Sequence, residues 1–84
     1  MPRQDPKLIV AAARAAEARR IVAGQRLLIE TLKASRQPTE EAEVALQLYV
    51  SALKVLEGHE QRLREVRRAK YRAKPNKENL SEAK

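Results

Sequence analysis

Two runs of apolar residues, each recurring at alternating steps of three and four, flank the five residues Ser35-Arg36-Gln37-Pro38-Thr39, and that arrangement leaves the chain few ways to fold. In the first run Leu8, Ala11, Ala15, Ala18, Val22, Gln25, Ile29 and Leu32 fall on one stripe of a helix, which Ile21 and Leu28 widen. In the second run Ala42, Leu46, Tyr49, Leu53, Leu56, Glu60 and Leu63 do the same, flanked by Ala45, Ala52, His59 and Val66. Between them Pro38 disfavours helical geometry in Gln37 and cannot donate a backbone hydrogen bond. A break this short between two helices of about thirty residues makes them antiparallel neighbours. The expected fold is all-α, an antiparallel two-helix hairpin with coiled-coil-like packing.

The ends of the helices carry their own signals. Asp5 can cap free N–H groups and Pro6 suits the first helical position, so the first helix is expected over about 6–36 after a flexible segment 1–5. Thr39 is a good N-cap, and Glu40, Glu41 and Glu43 place acids at the positive end of the second helix, although Ala42 stands where a capping box needs an acid. That helix is expected over 39–73, with Pro75 as its stop and the polar segment 75–84 disordered. In an antiparallel pair of this length, opposed residue numbers should add to about 74. The rule sets Ala18 against Leu56, Ala11 against Leu63 and Leu8 against Val66. It also brings Gln25 to Tyr49, a polar pair able to select one register. Gly24, costly inside a helix, is expected to mark the close approach of another helix.

Composition removes other classes. The chain has 84 residues, no Cys, Phe or Trp and only two Tyr, so it has neither disulfide staples nor thiolate metal sites to support a small core. Association is the expected remedy. A lone hairpin leaves Ile21, Leu28, Leu48 and Val55 partly wet, and a homodimer packed as a four-helix bundle would cover this self-association face. The longest uncharged stretch, Val44 to Leu53, is far short of the ~18 residues of a membrane span. The apolar run Leu8 to Ala13 is likewise too short for a signal peptide. A cytoplasmic location is expected.

The stretch Gln25-Arg26-Leu27-Leu28-Ile29-Glu30-Thr31-Leu32, followed by Thr39-Glu40-Glu41-Ala42-Glu43 and a Leu-rich helix carrying His59, resembles a group of short, uncharacterised bacterial helical-hairpin proteins. Their shared pattern is QR-x-LI-x-x-L, a turn, T-x-x-AE and a Leu-rich helix with His. The match covers residues 16–66 and consists mainly of core and cap positions, so it implies a fold and no activity. Arg36 and Pro38 stand where that group has Gly and Asp in the turn.

Chemistry is sparse. A single His, three Ser and no Cys offer no convergent nucleophile and base, so no catalytic residue, metal site, cofactor or small-molecule substrate is expected. His59 reads as a partly buried, locally bonded side chain at the edge of the seam. Charge carries more information, because residues 62–74 hold Arg62, Arg64, Arg67, Arg68, Lys70, Arg72 and Lys74 against Glu65 alone, +6 of the chain's +7. Cations do complement a helix C-terminus, but seven so close together repel one another. The segment is expected to bind polyanions, nucleic-acid backbone first and an acidic protein or anionic membrane second, with low sequence specificity. The competing expectation is an adaptor that works through its apolar face, its basic end serving solubility alone.

Overall fold

The computed structural model describes residues 5–83, with side chains described through Tyr71. Two helices, α1 from Pro6 to Ala34 and α2 from Glu40 to Ala83, lie against each other as an antiparallel hairpin. The molecule measures 74 × 21 × 15 Å, and its radius of gyration of 20.6 Å far exceeds the ~12 Å of a compact globule of this length. A thickness of 15 Å is one layer of helices. Among the described residues, no other element covers either face of that layer.

Local chemistry explains the helix ends. Asp5 accepts a hydrogen bond at Oδ1 from the Lys7 N–H (2.9 Å), and the Ile9 N–H donates to the Asp5 carbonyl to close the first turn. At the other end α1 stops at Ala34, two residues before the expected boundary. There the Arg36 N–H donates to the Lys33 carbonyl and the Gln37 N–H to the Leu32 carbonyl at 2.8 Å, the paired bonds of a Schellman motif. Arg36 has φ 59°, the left-handed conformation that this motif needs and that glycine adopts without strain. Thr39 caps α2, its carbonyl accepting from the Glu43 N–H while its hydroxyl donates to the Glu43 carboxylate at 2.6 Å.

The second helix departs from the sequence reading at its far end. Where Pro75 is expected to stop it near Ala73 and leave 75–84 without structure, α2 continues to Ala83. A single proline removes one backbone bond, and the Lys, Glu, Leu and Ala that follow are good helix formers, so the helix resumes its ladder beyond it. The other terminal segment, residues 1–4, lies outside the described residues.

The core is small and one-sided. Ala11, Ala15, Ala18, Val22 and Ile29, all from the α1 seam, are the buried apolar residues, whereas Leu46, Leu53, Leu56 and Leu63 of α2 stay half-covered. Alanines on α1 let the larger α2 leucines sit close, which is the complement the two seams imply. Register follows the expected opposition, since Ala18 and Leu56 line one depression and Ala11 and Leu63 another. Leu8 departs from it: it lines a depression with Arg64, Arg67, Arg68 and Tyr71, and Val66 lies in the adjacent one with Lys7 and Leu63.

One further contact differs from the reading of the seams. Gln25 does not pair with Tyr49: its Nε2 donates to the main-chain carbonyl of Ala42 at 2.8 Å, and Tyr49 is exposed beside Ile21 and Ala52. Helix carbonyls point toward the C-terminus, so those of α2 face down the hairpin toward Gln25, and a carbonyl has a second lone pair free for such a bond. Gly24, expected to meet another helix, faces open space within the hairpin, and a Cβ there would touch nothing within 4 Å.

Candidate polyanion interface

The basic residues of α2 gather where α1 begins. The helical period puts Arg64 and Arg68 on one row and Arg67 and Tyr71 on the next, and α1 presents its first turn to both. Arg64, Arg67, Arg68 and Tyr71 line a shallow depression with Leu8, and Arg67, Lys70 and Tyr71 line a second with Asp5, Lys7, Leu63 and Val66. Arg67 and Tyr71 are common to both and form the ridge between them. The Arg67 guanidinium lies 5.6 Å from the centroid of the Tyr71 ring, within cation–π range. This stack holds the ridge in place.

The charges differ in how they are held. Glu60, the most buried polar side chain at 9% exposure, accepts a hydrogen bond from Arg64 and faces Arg19 at 3.8 Å, so Arg64 is anchored at the inner edge of the cluster. Arg62, Arg68 and Lys70 are exposed and make no ion pair among the described residues. Glu65, the one acid within the segment, accepts instead from the Gln61 amide at 3.3 Å. Arg62 extends back over Gly58, one turn earlier, and lines neither depression. The side chains of Arg72 and Lys74 lie outside those described, on the stretch of α2 that runs beyond the start of α1. The positive end of the α1 dipole, with Lys7 in its first turn, adds to the potential at this end.

Lys7 and Tyr71 are the members of the cluster that the sequence reading omits. The rule of sums near 74 already sets Lys7 opposite Arg67, and Tyr71 lies one turn beyond Arg67 on the same row. Lys7 follows from looking across the hairpin, and Tyr71 from looking one turn further along α2.

The flanks of the hairpin have opposite characters. On one, Arg19 Nε lies 3.0 Å from Glu57 Oε2, joining the helices by charge. On the other, Ala18 and Ile21 of α1 and Tyr49, Ala52 and Leu56 of α2 line an apolar depression, with Arg14 and Glu17 at its rim. The expected self-association residues are all solvent-facing, Ile21 at 43% exposure, Leu28 at 45%, Leu48 at 66% and Val55 at 68%. Val10, Val66 and Tyr49 extend the exposed apolar surface. His59 is exposed and not partly buried: it lines a depression with Lys7, Val10, Arg14 and Leu63. A histidine one position from the buried Glu60 turns off the seam by 100° and reaches solvent.

Among the described residues no three His, Cys, Asp or Glu side chains cluster as metal ligands do, and no helix is long and apolar enough to cross a membrane. Comparison with protein families, with curated proteins and with solved structures returns no match.

Proposed function

We propose that this chain is a small, non-enzymatic, cytoplasmic helical interaction protein that forms a homodimer through the face containing Ile21, Leu28, Leu48 and Val55 and binds polyanions on the basic open end of the hairpin. Nucleic-acid backbone is the first ligand class. The observation that carries this reading is the exposure of Arg68 and Lys70, which make no ion pair among the described residues, beside Lys7, Arg64 and Arg67. Cations packed this closely repel one another, and a run of phosphates relieves that repulsion. The shallow depressions and single Tyr suit contacts to the backbone with little base discrimination.

The second reading, an adaptor acting through its apolar flank, draws on the exposure of Leu48 and Val55. Titration with nonspecific duplex and single strands at several salt concentrations separates the two. Micromolar binding with a steep salt dependence supports the polyanion reading, and no binding at low salt favours the adaptor.

A further inference from the structure

A single layer of two helices is an incomplete domain, because stable folds bury an apolar face between at least two layers. The buried apolar set of this hairpin is three alanines, one valine and one isoleucine, and among the described residues no large side chain is fully enclosed. Only one flank is suited to a second layer. The Arg19–Glu57 flank is already occupied by its own charges, whereas the opposite flank exposes Ile21, Leu28, Leu48 and Val55 around the Tyr49 depression.

We infer that a second copy of the chain covers this flank head to tail, with α1 on α1 and α2 on α2, so that the two basic open ends lie at opposite poles of the dimer. The inference rests on the self-association reading above and adds the arrangement.

Two observations select this occupant and this direction. The first is area. From Val10 to Leu28 the flank runs about 27 Å at about 1.5 Å per residue, and the hairpin is 21 Å wide. That footprint, roughly 570 Å² before side chains interdigitate, approaches the ~800 Å² per partner of a standard interface. The second is charge. Helix α2 begins with Glu40, Glu41 and Glu43 and carries Arg62, Arg64, Arg67, Arg68 and Lys70 about 40 Å further on. Head to tail, the acidic start of one α2 lies over the basic segment of the other. Side by side, two segments of +6 would meet with nothing between them, at separations where screening is incomplete. A two-fold axis crossing the flank near Ile21 and Val55 brings each of these residues to its own counterpart, as an isologous contact requires.

Bivalence follows. The basic poles stand about 40 Å apart by helix rise. Such a dimer holds two separate backbones, or two points on one duplex about 12 base pairs apart.

The chain has no cysteine, so a single spin label introduced as Gln37→Cys in the exposed turn reports directly on the arrangement. Double electron–electron resonance without nucleic acid is expected to give an inter-label distance of about 50 Å. A distance below about 25 Å, with both turns at one end, would overturn the head-to-tail arrangement. Absence of inter-label coupling together with a monomer mass by light scattering would overturn self-association itself. Neither result bears on whether the basic end binds polyanions.

Discussion

Gln25 of α1 donates its side-chain amide to the main-chain carbonyl of Ala42 in α2 at 2.8 Å, tying the helices together near the turn while Tyr49 stands free of that bond. A part-buried hydrogen bond of this kind is worth about 0.5–1.5 kcal/mol. Gln25→Ala should lower stability by that amount in chemical denaturation, and Tyr49→Phe should change it by less than about 0.5 kcal/mol. A larger effect from Tyr49→Phe would restore the Gln25–Tyr49 pairing as the determinant of register.

Arg36 holds the left-handed position of the Schellman turn at φ 59°. Replacing it with glycine removes a conformational cost of about 1–2 kcal/mol, offset in part by the greater freedom of glycine in the unfolded chain. Arg36→Gly should therefore raise stability by about 0.5–1 kcal/mol, read as a higher denaturation midpoint at unchanged slope. A loss of stability would mean that the Arg36 side chain contributes more than its backbone strain costs.

Gly24 offers a similar gain inside α1. Within the hairpin nothing lies within 4 Å of a Cβ at that position, so at concentrations where the chain is monomeric Gly24→Ala should add most of the ~1 kcal/mol difference in helix propensity, whereas in the proposed dimer Gly24 stands between Ile21 and Leu28 under the α1 of the second copy. Thermal unfolding followed by circular dichroism measures it. A decrease would place another helix close against Gly24.

The apolar flank makes a prediction about assembly. Changing Leu28 and Val55 together to Lys puts two charges per chain on exposed sites that the hairpin does not need, yet at the centre of the proposed dimer contact. Light scattering should report the double variant as a monomer, and circular dichroism should show reduced helicity, because a lone hairpin buries little surface. A variant that retains dimer mass would move the contact to another surface.

These outcomes bear on how much was readable beforehand. The hairpin and its opposition follow from Pro38 and from two apolar repeats of helical period, because the five buried residues are a direct subset of the α1 seam. The exposed flank was equally legible, since Ile21, Leu28, Leu48 and Val55 fall beside the seams on one side. The partner of Gln25 was not, because a rule that opposes residue numbers does not see a main-chain carbonyl pointing along the groove. Nor was the passage of α2 through Pro75, where one lost bond competes with a following run of helix formers. The cluster at the open end was half legible: its arginines and Tyr71 share one helix, while Lys7 joins them only across the hairpin from α1.

The central claim is that the open end holds polyanions through its cations. The most direct measurement compares the parent with the variant Arg68→Gln, Lys70→Gln, Arg72→Gln and Lys74→Gln in binding a nonspecific duplex across a range of salt concentrations. The described members of this set, Arg68 and Lys70, make no ion pair among the described residues and belong to neither apolar seam, so folding should be nearly unchanged by circular dichroism. Each phosphate contact removed should flatten the slope of log K against log salt by about one unit. The account predicts a slope shallower by several units and much weaker binding for the folded variant. A folded variant that binds as tightly as the parent, with the same slope, would contradict it.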